Sequence, residues 1–402
     1  MLYIISNYVF FYLIKNFYKL VFIILLFINY YIISYTNRVL NKVSFNYPTS
    51  NKNKLNVIKF NEIYNNTIEN GTVLIFEPNL FHHECTPGYA KYFLDLGYKV
   101  DILMYPCGIG SLLLFSDFKN IKVIIFNDLK EILISSKNYS SIIKNYDFIL
   151  LQTTTKYEMN IYNQLDLFNI NNSFFVFHIL NFVNSLGCSK YLKENRIWTL
   201  GNFSKGLQVN PHYFGDIKIR RKHEKTTFFL TSSNGRNYTH LISTIEKLYK
   251  ENYDFQIFVI GRARSLNSKI IPKNLIKIFK FMYNVKYSEL YQTIENSDYI
   301  ILPLDPNSKY DFDYNYTKSS GSIQLSYGFL KPPIISKEYS YVYKLNENNS
   351  LIYNKSNFYE IMKKSIELTK KDYKLLQKDL MKCEKEVYST SIDNIKLAIN
   401  KN

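Results

Sequence analysis

The residues best suited to chemistry in this 402-residue chain fall into two groups. The later group centres on Lys318-Ser319-Ser320-Gly321-Ser322, followed by an apolar run through Gln324 to Gly328 and then by Lys331-Pro332-Pro333-Ile334-Ile335. Small hydroxyl residues favour a helix start and proline cannot continue a helix, so this stretch reads as turn, short helix and strand. The unpaired N–H groups and positive dipole end of such a helix favour an anion, and Lys318 adds a cation beside them. Ser233-Asn234-Gly235-Arg236 and Gly261-Arg262 each follow a short apolar run. A small, glycine-bearing turn with arginine at a strand end suits a diphosphate.

The earlier group is His82-His83-Glu84 together with His178. Imidazoles and a carboxylate in one loop could act as acid, base or hydrogen-bonding groups on a polyol, which makes Glu84, His83 and His178 the candidate catalytic residues. Adjacent positions lack the i, i+4 spacing that sets two ligands on one helical face, so no metal is expected there. The alternative for 82–84 is a loop that caps the next helix, and for His178 a hydrogen-bonded core histidine.

These groups need a frame to hold them at strand ends. From Thr72 the pattern becomes short continuous apolar runs alternating with helical stretches, with strands expected at 72–76, 99–104, 121–126, 147–151 and 173–178. After a crossing strand at 195–200, a broken basic patch at 218–225 marks a boundary. A second set of strands is expected at 226–231, 255–260, 275–279, 298–302 and 351–353, with helices at 237–250 and 287–295 and one or two between 358 and 388. Two doubly wound halves follow, whose ligands gather beyond the carboxyl ends of the strands.

Composition narrows the partners. Tyr 37 and Phe 30 in a chain that is 47% hydrophobic exclude a mainly disordered protein. A formal charge of +17 attracts nucleic acid, anionic lipid or phosphorylated ligands alike. The lysines read as scattered, and no zinc-finger, RNA-binding or recognition-helix pattern is present, so nucleic acid is not an expected partner. Four cysteines without paired spacing argue against a disulfide framework and fit a reducing compartment. Residues 1–37 are overwhelmingly apolar, with Lys15 and Lys19 the charges before Arg38. They read as a membrane-associated helix, spanning or lying flat, with the basic flank keeping the rest of the chain cytoplasmic. Residues 38–70 read as a tether.

Over roughly residues 72–370 the pattern resembles the GT-B glycosyltransferases, particularly the family-4-like group. The resemblance is carried by the passage from Thr231 to Arg236, by Val259-Ile260-Gly261-Arg262, by Tyr287 to Pro303, by Lys318 to Ile335, and by the loop and helix from His82 to the Leu96-Gly97-Tyr98 turn. It implies an α/β fold of two Rossmann-like domains facing across a cleft: 71–216 for the acceptor and 217–370 for a nucleotide-diphospho-sugar, with 371–402 as a helical segment. The implied enzyme is a hexosyltransferase without cofactor or metal, acting on a glycan or lipid-linked acceptor. Ser233, Asn234, Gly235, Arg236, Arg262, Lys318, Ser319, Ser320, Gly321, Ser322 and Gln324 would hold the donor. Gln324 or Ser326 stands where that family has a glutamate for the donor ribose, which leaves a non-catalytic nucleotide- or glycan-binding relative as the alternative. Asp311-Phe312-Asp313 matches the metal motif of the other glycosyltransferase fold, but it lies deep in the second half and is read as loop.

Overall fold

The computed structural model describes residues 55–401, apart from 61, 63–67, 116–118, 135–141, 204, 216–218, 220–221, 234–235, 262–265, 267–268, 306–307, 309–310 and 355. Two parallel sheets organise them. The first contains β1 (Asn56–Lys59), β2 (Thr72–Glu77), β3 (Lys99–Met104), β4 (Ile121–Ile125), β5 (Phe148–Leu151), β6 (Ser173–Phe177), β7 (Ile197–Thr199) and β8 (Leu207–Gln208), in the order β1-β4-β3-β2-β5-β6-β7-β8. The second contains β9 (Thr226–Ser232), β10 (Phe255–Gly261), β11 (Phe279–Tyr283), β12 (Tyr299–Ile301), β13 (Pro333–Ser336) and β14 (Leu351–Tyr353), in the order β11-β10-β9-β12-β13-β14. Every residue of β2 and of β6 is buried, as continuous apolar runs must be when both faces of a parallel sheet are covered.

The strand orders locate the crevices. In the first sheet the chain grows one way from β2 through β3 and β4, and the other way from β5 through β8. The loops after β2 and β5 therefore part company, and a groove opens at the strands' carboxyl ends. In the second sheet the same divergence falls between β9 and β12.

Two expectations shift. The strand expected at 275–279 is instead a 3-10 turn, Lys273–Ile278, with β11 after it. β11 is an edge strand in which Phe279 and Met282 alone are buried, so it lacks the continuous apolar run that marks an inner strand. Residues 56–59, within the expected tether, pair with β4 as the other sheet's edge. The apolar helix expected over 1–37 lies outside the described residues, and among those described no helix is long and apolar enough to cross a membrane.

The sheets are joined in two ways. Residues 209–214 pass between them, and a Cβ on Gly328 would stand 2.2 Å from the His212 carbonyl oxygen, so only glycine allows this approach. Phe214 then packs on Phe329 and Tyr291 with ring centroids at 5.1 and 5.6 Å, and the Tyr291 hydroxyl donates to the Ser111 carbonyl at 3.0 Å. The C-terminal helix Lys370–Lys401 is the second tie. Tyr373 and Leu376 enter the core of the second sheet, and Ile395 and Ala398 that of the first. Leu380, Cys383 and Val387 join a cluster drawn from both sheets. Its outward face carries Lys371, Lys374, Lys378, Lys382 and Lys385, all exposed, so charge that reads as scattered in the sequence is gathered on one helix.

Candidate functional site

The loops at the first crevice are pinned to each other. Glu77 ends β2 fully buried, accepting the Asn79 N–H at 2.7 Å and the Thr153 hydroxyl at 2.6 Å. Asn79 donates to Glu158 at 2.9 Å and accepts the Phe81 N–H at 2.8 Å, while Gln152 donates to the His82 carbonyl at 2.8 Å and accepts the Thr86 hydroxyl at 2.9 Å. Burial pushes the Glu77 carboxyl up to about 8 despite its two donors, so at neutral pH it is mostly protonated.

This zipper sets the histidines. His82 stacks on His178 with ring centroids 4.2 Å apart, and its Nδ1 lies 3.6 Å from Glu84. Burial works against its protonation, but the hydrogen bond and charge of Glu84, its leading partner, overcome it and raise the imidazole above its ordinary value. His178, with Nε2 3.3 Å from the Gln152 carbonyl, is held well below by burial and by the His82 charge. The two stacked rings are thus shifted in opposite directions, with protonation favoured on His82 and disfavoured on His178. His83 goes elsewhere. It is buried under the turn Pro106–Leu112, where a Cβ on Gly108 would meet its Cδ2 at 2.5 Å, and burial pulls it down to about 4. The structure therefore brings His82, with Glu84, to His178, and keeps His83 in the packing.

The second crevice holds the cations. Helix Gly321–Phe329 starts at Ser320, whose side chain makes no capping bond, and whose N–H donates to the Tyr343 hydroxyl at 3.3 Å. Gly321 is exposed, and a Cβ on it would meet nothing within 4 Å, so the helix start is open on that side. From the end of β9, Thr231 shares a 2.6 Å hydrogen bond with Ser322. Tyr314 lies between two cations, with Lys318 Nζ 4.5 Å and the Arg236 guanidinium 5.7 Å from its ring centroid. The Arg236 side chain is only 5% exposed, held by long contacts to the Thr231 carbonyl (3.5 Å) and the Tyr314 hydroxyl (3.4 Å) and by Asp311 at 3.8 Å. Burial raises the Asp311 carboxyl against the Asp305 N–H and the cations that would ionise it. Asp311 is thus buried beside Arg236 in the loop after β12.

Ser233 Oγ, Arg236 Nε, Asp311 Oδ1, Asn315 Oδ1 and Ser319 Oγ, on the loops after β9 and β12, are buried without a hydrogen-bond partner among the described residues. Buried polar atoms left this way cost about 1–3 kcal/mol each, which a bound polar ligand would offset. Gln324 is directed otherwise. In the orientation that satisfies its amide it donates to the Ser320 and Gly321 carbonyls at 2.8 and 3.0 Å, back along its own helix. Asn234, Gly235 and Arg262 lie outside the described residues. Sequence reasoning placed His82 in the loop but chose His83 as the candidate catalytic imidazole, and it gave no role to Glu77, Asn79 or Tyr314. A carboxylate ending an apolar strand was the one visible signal among them.

The two crevices are in contact. Ile179 and Lys318 form an antiparallel bridge, and the Leu180 N–H donates to the Thr317 carbonyl at 2.6 Å. A Cβ on Gly201 would come 2.9 Å from Ser319 Oγ, another close approach of the first half to the helix start. Lys318 is itself one of the bridged residues and His178 immediately precedes the other, so candidate acid–base groups and candidate anion-binding groups share one junction.

No family model matches the sequence, and neither does any curated protein. Solved structures do match. A glycosyltransferase from Rickettsia africae ESF-5 superposes with a TM-score of 0.53 at 16% identity, covering 82% of this chain and 98% of that one. An α-glucosyltransferase in complex with UDP and a 13-mer DNA containing an HMU base gives 0.50 at 12% identity, covering 77% and 94%. The chain, with its two parallel sheets and their helices, has the GT-B fold of the glycosyltransferases.

Proposed function

We propose that the protein is a glycosyltransferase, family-4-like, that moves a sugar from a nucleotide-diphospho-sugar to a glycan or lipid-linked acceptor at the cytoplasmic face of a membrane. The observation that carries this reading is the junction at Ile179 and Lys318, which sets His178 beside the open helix start and the Arg236–Tyr314–Lys318 cluster. A helix N-terminus alone contributes about 0.3–1 kcal/mol toward an anion, too little to hold a departing nucleoside diphosphate, so Lys318, Arg236 and Arg262 are needed to stabilise the leaving charge. This assigns the metal's usual task to side chains. His82, His178 and Glu84 would orient the acceptor hydroxyl or the transferred sugar and take up its proton. The bound UDP of the similar α-glucosyltransferase supports a nucleotide donor. The apolar run at 1–37 supports the membrane location.

Incubation with a panel of nucleotide-sugars tests the reading. Nucleotide released by the wild type and lost in Lys318→Ala and Arg262→Ala supports transfer, whereas thermal stabilisation by a nucleotide-sugar without release across plausible acceptors supports a non-catalytic binder. One observation favours that second reading. Gln324 supplies no carboxylate and its amide is engaged by its own helix carbonyls.

A further inference from the structure

The C-terminal helix Lys370–Lys401 has two faces with different tasks. Tyr373, Leu376, Leu380, Cys383, Val387, Ile395 and Ala398 are buried against the two sheets. Facing away are Lys371, Lys374, Lys378, Lys382 and Lys385, all exposed. At 3.6 residues per turn these five fall within an arc of roughly 80° and span roughly 21 Å along the axis. No carboxylate of the helix falls inside that arc, although the exposed Asp393 and Glu386 border it, Glu386 at i+4 from Lys382. Asp372 accepts the Thr369 hydroxyl at 2.7 Å and Glu384 pairs with His212 at 3.0 Å, while Asp379, at the border, reaches Lys382 at 2.6 Å. Among the described residues that is the one ion pair on the stripe.

A surface kept soluble by charge mixes its signs and gains from i, i+4 pairs of opposite charge. This row does the reverse. Lys371 and Lys374, Lys374 and Lys378, Lys378 and Lys382, and Lys382 and Lys385 are all like-charge neighbours at i, i+3 or i, i+4, and each pair costs the free protein stability. A polyanionic surface removes that cost. Beside the row, Leu375 is 49% exposed, an apolar side chain that headgroups accept more readily than water does.

We propose that this lysine stripe is a docking surface for an anionic phospholipid bilayer. A lipid surface fits better than nucleic acid. The row is straight and made of lysine alone, with no aromatic ring on which a base could stack and no guanidinium fork for a phosphodiester. The same chain carries the apolar run at 1–37, whose chemistry also suits a bilayer. The docking is independent of sugar transfer and stands or falls without it.

Co-sedimentation of the full chain with phosphatidylcholine vesicles, with and without phosphatidylglycerol, tests the proposal. Since residues 1–37 could hold the chain to both, the measured quantity is the preference for the anionic vesicle. The triple variant Lys374→Glu/Lys378→Glu/Lys382→Glu is expected to lose that preference by on the order of 100-fold, and the corresponding glutamine variant by somewhat less. Added salt should erode the wild-type preference and leave that of the triple variant unchanged. A thermal unfolding curve for each variant confirms that these exposed positions leave the fold intact. A wild type indifferent to vesicle charge, or a triple variant with undiminished preference, overturns the proposal. So does a wild type that binds single-stranded DNA while ignoring phosphatidylglycerol, since the stripe then serves nucleic acid.

Discussion

The two crevices are built on the same topology and finished differently. At the first, Glu77, Asn79, Thr153 and Glu158 are joined in one hydrogen-bonded network, and Gln152 bonds the His82 carbonyl and the Thr86 hydroxyl beside it. At the second, Ser233, Arg236, Asp311, Asn315 and Ser319 each bury a polar atom that no described residue matches, and the cation and carboxylate stand 3.8 Å apart without a hydrogen bond between them. A satisfied network positions its neighbours and needs nothing from outside. An unsatisfied one is stable in company. The contrast assigns the first crevice the work of orienting His82 and His178, and the second the work of binding a charged ligand.

Substitutions at each crevice should separate these roles. The largest effect is expected at Glu77. In the folded protein it keeps its proton up to about 8, whereas in the unfolded chain it releases it near the ordinary value of 4.5. Its contribution to stability is therefore full below the lower value and is lost as pH rises through the upper one. Glu77→Gln, which copies the protonated acid, should match the wild type near pH 5 and exceed it by on the order of 3–5 kcal/mol at pH 9, read from denaturant unfolding. Parallel pH curves would remove Glu77 from the network.

Next is Lys318→Ala, expected to lower nucleotide release by about 100-fold or more with a small change in melting temperature. An equal loss of stability would make the lysine structural. Arg236→Met should destabilise by about 1–3 kcal/mol by stranding Asp311, and adding Asp311→Asn should restore stability without restoring turnover. Additive losses would show that the two do not act as a pair. His82→Asn should reduce turnover at constant stability, whereas His83→Asn should cost about 1–2 kcal/mol of stability, because it removes a buried ring packed on Gly108. The smallest effect is expected at Ser320→Ala. Since that hydroxyl makes no capping bond, the change should fall below the ~1 kcal/mol usual for a lost helix cap.

Much of the frame was legible because inner parallel strands must be continuous apolar runs. The expected strands at 72–76, 99–104, 173–178 and 255–260 all fall within a residue or so of β2, β3, β6 and β10. Helix Gly321–Phe329 was legible for a similar local reason, namely a hydroxyl-and-glycine start and a proline-led strand beyond its end. Of the edge strands, β14 was legible but β1 and β11 were not. β1 has no buried residue and β11 only two in five, so neither presents the continuous apolar run of an inner strand.

What the sequence by itself determined is therefore local: which runs are strands, where the helices begin, and that cations and histidines fall at strand ends. Tertiary structure decided the rest. Whether His82 or His83 faces His178 depends on the turn at Gly108, and whether Arg236 is an open cation or a buried partner of Asp311 depends on the loop after β12. Whether lysines along the last helix form one row depends on which face packs against the two sheets. Each is a contact between residues far apart in the chain, and spacing along the sequence records no such distance.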